Sequence, residues 1–102
     1  MHWCYGLDLF ERRYWWEAHE VWEGLWLTLG RDSPEAQLVQ GMIQLAASHL
    51  TAELGRHAAS ARLHDRAVTR LERATARLDP GAWDIDLDTL LAQAHDSEQA
   101  AP

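Results

Sequence analysis

The sequence predicts an all-α fold, a small antiparallel bundle of four to five helices. Apolar residues recur at three- and four-residue steps through most of the chain. Gly and Pro interrupt that rhythm at 30–34, 55 and 80–81, and no segment alternates apolar with polar residues as a half-buried strand would. The connections between periodic segments are short, which favours antiparallel neighbours. With 102 residues the chain has the length of one domain, read as a single bundle over 1–96 with a frayed tail at 97–102.

The first helix is expected from about Trp3 to Glu11, with Tyr5, Leu7 and Phe10 as apolar contacts and Arg12-Arg13 as the turn that follows. The second should run from Tyr14 to Leu29. There Trp15, Ala18, Trp22, Leu25, Trp26 and Leu29 form one apolar face, and Gly30 is the expected stop. Ser33-Pro34-Glu35 announces the third helix, with a capping hydroxyl, a proline at the first helical position and an acid in the first turn. It should extend to about Leu54 on a stripe of Leu38, Met42, Leu45 and His49, widened by Val39, Ile43, Ala46 and Leu50, with Gly55 ending it. The fourth, from about His57 to Leu78, buries Leu63, Ala67, Leu71, Ala74 and Leu78 before Asp79-Pro80-Gly81. A last helix is expected around Leu87 to Asp96, capped by Asp84 or Asp86.

Composition limits the function classes. An apolar fraction of 47% with six tryptophans suffices for a core without staples, since each buried Trp removes about 200 Å² from water. Cys4 is the only cysteine, so no internal disulfide forms. Met1 to Tyr5 shows no basic region followed by an apolar run, and no stretch approaches the roughly 20 apolar residues of a membrane span. A cytoplasmic protein without a membrane role is expected. The formal net charge of −7 argues against nucleic acid as the main partner of the whole surface. All nine basic residues are arginines, six of them between Arg56 and Arg77, whereas Asp79 to Glu98 carries only acids. The stripe Arg62, Arg66, Arg70, Arg73 and Arg77 reads either as a phosphate-gripping face or as a solvated flank pairing with Asp65, Glu72 and the acidic C-terminal segment. The flank is the stronger reading.

The densest polar cluster is Glu17-Ala18-His19-Glu20-Val21-Trp22-Glu23. His19 and Glu23 are four apart and meet on one helical face, which Trp15, Trp22 and Trp26 also share. Gln40, Gln44 and His49 of the third helix are candidates to converge on it, and Trp16, next to Trp15, reaches toward the surface. Two readings stay open. In one, His19 and Glu23 bind a divalent ion (Zn, Mn or Fe), His49 is the third ligand with His64 in reserve, and Glu20 is the catalytic proton acceptor of a metal-dependent hydrolase acting on an unknown small molecule. In the other, the cluster is a buried polar network in which His19 pairs with Glu23 while Gln44 and Trp N–H groups satisfy the rest. The protein is then a non-catalytic interaction module, with a homodimer among its expected forms and Trp16 or Trp3 as its exposed apolar contact. On spacing alone the network is favoured, because short motifs match often by chance. A di-iron site is rejected, since the third helix has no acid between Glu35 and Glu53. Nucleophilic catalysis has little support: Cys4 is near an end, and Ser48 points away from His49.

Glu17-Ala18-His19-Glu20 with Glu23 and Trp26 resembles the first signature of a prokaryotic family, domain of unknown function 309. Gln40-Gly41-Met42-Ile43-Gln44-Leu45-Ala46-Ala47 is similar to its second. Gly55, and Trp83-Asp84 before Leu90-Leu91, extend the resemblance over about Tyr5 to His95. It implies a small helical protein of a kind sometimes labelled a predicted metal-dependent hydrolase, a label that rests on the same His/Glu pattern. His19, Glu20 and Glu23 carry over directly. The family often places a histidine a residue or two after the position of His49, where this chain has Leu50 and Thr51. One residue is a rotation of about 100° on a helix.

Overall fold

A computed structural model describes residues 2–78, and among them the fold is entirely helical. Four helices follow in order: α1 (His2–Glu11), α2 (Trp15–Trp26), α3 (Pro34–Glu53) and α4 (His57–Arg77). The expected last helix at Leu87 to Asp96 and the tail at 97–102 lie outside the described residues. None of the four helices is long and apolar enough to cross a membrane.

α1 packs on α2 through aromatic rings. Trp3, Gly6 and Phe10 lie at steps of three and four and so face the same way. Trp3 is 1% exposed, which corrects the expectation that it offers surface for a partner. Its ring lies 5.7 Å from that of Trp22, whose indole N–H donates to the Trp3 carbonyl at 3.4 Å. Tyr5, expected as a contact, is instead exposed, because it falls about 130° round the helix from the Trp3–Gly6 direction. Gly6 makes the closeness possible: a Cβ there would stand 2.1 Å from Trp22 Nε1.

The turn between α1 and α2 is sharper than Arg12-Arg13 suggests by itself. Arg13 takes a left-handed conformation at φ 68°. The N–H of Tyr14 donates to Leu9 O at 2.9 Å and that of Arg13 to Phe10 O at 3.0 Å, closing the helix end. The end of α3 uses the same device with the expected residue. Gly55 sits at φ 79°, and the N–H groups of Arg56 and Gly55 donate to Thr51 O and Ala52 O.

α2 ends at Trp26, three residues before the expected Leu29. Thr28 and Leu29 donate to carbonyls three residues back, Leu25 and Trp26, and the Thr28 hydroxyl bonds Leu25 O at 2.7 Å. The last turn thus tightens before Gly30, whose carbonyl accepts from both the N–H and the hydroxyl of Ser33. Ser33 caps α3 as its sequence predicts, accepting from Ala36 N–H at 3.1 Å.

α3 lies against α2 and, more extensively, against α4. Leu38, Met42 and Leu45 are fully enclosed between these neighbours, with Val39 and Ala46 beside them. α4 answers with Ala67, Leu71 and Ala74, while Leu63 stays partly exposed and His64 is buried in its place. Leu71 presses on Gly41, where a Cβ would stand 2.8 Å from its side chain. The contacts pair the start of α3 with the end of α4: Asp32 meets Arg77, Gln37 meets Arg70, and Ser48 O accepts from the Ser60 hydroxyl.

Two substitutions test these contacts by equilibrium denaturation. Gly6→Ala forces the Trp22 ring away and is expected to destabilise by roughly 1–3 kcal/mol. Arg13→Gly relieves a left-handed side-chain residue and is expected to stabilise by roughly 0.5–1 kcal/mol. A neutral Gly6→Ala would mean that α1 does not pack on α2 in this way.

Candidate functional site

The His/Glu cluster lies on the solvent side of α2. His19 Nδ1 faces Glu23 Oε2 at 3.6 Å, with side-chain exposures of 23% and 56%. That distance is too long for a hydrogen bond. Nδ1 is shielded from solvent and has no hydrogen-bond partner among the described residues. The Trp16 ring stacks on the imidazole, centroids 5.6 Å apart and planes 22° from parallel, and Trp16 itself is 55% exposed. Glu20 is exposed alongside, Glu17 is exposed about 160° further round the helix, and α2 contains no lysine or arginine. The surface around His19 combines one imidazole, two carboxylates and a ring.

The other expected members of the cluster go elsewhere. Trp22 is fully buried and turned to α1, where it meets Trp3 and Phe10. Trp26 is partly buried, and its indole N–H, although shielded, has no partner among the described residues. Gln40 and Gln44 do not satisfy His19 or a tryptophan. Both face α4, where Gln44 Oε1 accepts from Arg70 Nε at 3.2 Å and Gln40 Oε1 accepts from Arg70 Nη1 at 3.1 Å. Gln37 Oε1 accepts from the same Nη1 at 2.5 Å. The polar network expected around His19 is not formed; a different, partly buried one lies between α3 and α4, around the Arg70 guanidinium. Gln37, Gln40 and Gln44 at steps of three and four on one face of an apolar helix were the signal for it.

His49 belongs to an aromatic stack. Its ring lies on that of Trp15, 4.1 Å between centroids and 10° from parallel, with Phe10 edge-on at 5.7 Å. The Trp15 indole N–H donates to Glu53 Oε1 at 3.0 Å. Burial among these rings lowers the His49 pKa below the ordinary 6.5; His64 and Arg13 push the same way, and Glu53 opposes them. Among the described residues, no three His, Cys, Asp or Glu side chains gather so as to hold a metal ion. His49 and His64 therefore do not complete a site with His19 and Glu23. The described chain supplies two donors from one helix, whereas a catalytic zinc centre takes three from the protein.

These features define a small all-helical domain with a His/Glu pair on its surface and a glutamine–arginine clasp in its seam. The chain belongs to the family described as "Domain of unknown function (DUF309)", whose model matches residues 3–63. The match takes in α1, α2, α3 and the first turns of α4, with both expected signatures; Trp83-Asp84 and Leu90-Leu91 fall beyond it. Neither the curated proteins nor the solved structures give a match.

The depressed His49 pKa gives a pH signature. Between the folded pKa and 6.5, the unfolded chain binds more protons at this position than the folded one. The stabilisation is complete above 6.5 and is lost as pH falls toward the folded value. Urea denaturation between about pH 8 and pH 5 should show stability falling with pH, and a shallower fall in His49→Phe, which keeps a ring on Trp15. An identical slope in both proteins would contradict this assignment.

Proposed function

We propose that this protein is a small cytoplasmic binding module, an antiparallel helical bundle whose α2 face takes a cation, with a divalent metal ion held between His19 and Glu23. The observation that carries this reading is the orphaned His19 Nδ1, shielded from water and aimed at a carboxylate 3.6 Å away. A polar atom in that position lacks a partner, and an ion between the two side chains supplies one. Glu17 and Glu20 add negative potential, and α2 has no cation to oppose it. The mixed N/O donor set suits Zn, Mn or Fe.

Two protein donors leave most of the coordination sphere to water or to another molecule, so the ion is bound with modest affinity. Hydrolysis of a small molecule, with Glu20 accepting the proton, requires a further donor that the described residues do not bring. Binding is therefore proposed ahead of catalysis. Non-catalytic self-association is the second reading, favoured by Tyr14 and Trp16, both more than half exposed on the α2 side. A second copy apposed there would cover both rings and bring its own carboxylates to the ion.

The test is calorimetric titration of the metal-free protein with Zn, Mn and Fe(II), followed by sedimentation with and without the ion that binds. Equimolar binding that disappears in a His19→Ala/Glu23→Ala double variant and survives in His49→Phe is expected. Binding that persists in the double variant, or none at all, overturns the reading.

A further inference from the structure

α4 carries Arg66, Arg70, Arg73 and Arg77 at steps of four, three and four, so that all four share one face over about 16 Å. With Thr69, and with Gln37 and Asp32 from the α3 side, they line a cleft of about 860 Å³. That volume lies within the range of small-molecule sites. Ion pairs among the described residues include Arg12 with Asp8 and His19 with Glu23. Of the partners expected of a solvated flank, Asp65 forms no ion pair with the cleft arginines, and the acidic segment from 79 to 98 lies outside the described residues.

Arg70 sets this cleft apart from a merely charged surface. It is partly buried, and its Nε and Nη1 are held by three glutamine carbonyls. Amide oxygens fix the plane of a guanidinium without cancelling its charge. A partly desolvated cation held by neutral acceptors keeps its charge uncompensated, and an anion entering the cleft compensates it. Its Nη2 makes no hydrogen bond to a described residue, which leaves one edge of the fork to donate. The orientation is set in advance, so little conformational entropy is lost when an anion arrives.

We propose that this cleft binds a small molecule bearing a di- or triphosphate chain. The phosphoryl oxygens accept from the free edge of Arg70 and from Arg66 and Arg73, with Arg77 at the far end. The span of four arginines exceeds what one phosphate needs, and a short chain of them matches it. Asp32 and Asp65, also in the lining, accept from hydroxyls on the remainder of such a ligand. A long nucleic-acid track fits less well, because the net charge of −7 repels a polyanion that extends beyond the cleft.

The test titrates the full chain with tripolyphosphate, with a nucleoside triphosphate and with a single-stranded RNA of about 20 nucleotides, followed by calorimetry at about 0.1 M salt. Saturable equimolar binding of the phosphate chain is expected. It should weaken at least roughly tenfold in an Arg66→Gln/Arg73→Gln variant, whose exposed side chains lie outside the clasp and whose folding is checked by circular dichroism. Arg70→Lys, which keeps the charge and loses the fork, should weaken it as well. Absence of saturable binding, or equal affinity in the Arg66→Gln/Arg73→Gln variant, overturns the proposal. So does tighter binding of the RNA than of either phosphate ligand.

Discussion

α3 is covered on two sides, by α2 and by α4, and that double burial is the constraint from which the rest of the arrangement follows. A helix in this position must be apolar over a wide arc, and Leu38, Val39, Met42, Leu45 and Ala46 provide it. It must also let a neighbour approach, which Gly41 does by admitting Leu71. Polar side chains at the partly buried edge of the seam gain by finding partners there. Gln37, Gln40 and Gln44 find theirs in Arg70.

The two signatures of the family consequently have different physical duties in this chain. Gln40 to Ala47 builds the α3–α4 seam. Glu17 to Glu23 divides its residues by helical rotation: Ala18 and Trp22 go inward, whereas Glu17, Glu20 and Glu23 stay on the surface with His19 between. The molecule is also electrically uneven. α2 bears acids without lysine or arginine, and the outer face of α4 bears arginines that form no ion pair with a carboxylate of the described residues. α3 packs on both helices, so one carries a surface suited to cations and the other a surface suited to anions.

Much of the fold was legible because helix periodicity and end signals act locally. Ser33-Pro34, Gly55 and most of the apolar stripes of α3 and α4 depend on few residues and behave as their chemistry dictates; Leu63, which yields its place to His64, does not. The end of α2 was less legible, since Thr28 and Leu29 turn back on carbonyls three residues away and nothing in their identity announces it. Partner choice across helices was harder still. Gln44 was expected to serve the His19 cluster and serves Arg70, and His49 was expected at a metal and lies on Trp15. Both outcomes depend on which face of α3 meets which neighbour, a tertiary property that spacing within one helix does not encode. The solvent exposure of Trp16, by contrast, follows directly from its place one residue after the buried Trp15.

The second signature holds the fold together, while the first presents a surface. Equilibrium urea denaturation of two variants measures this directly. Gln40→Ala/Gln44→Ala, which removes two acceptors from a partly buried guanidinium, is expected to lose roughly 2–4 kcal/mol. Glu20→Gln/Glu23→Gln, which alters exposed carboxylates, should stay within about 0.5 kcal/mol of the parent protein. Equal losses in the two variants, or the larger loss in the α2 variant, would contradict the account.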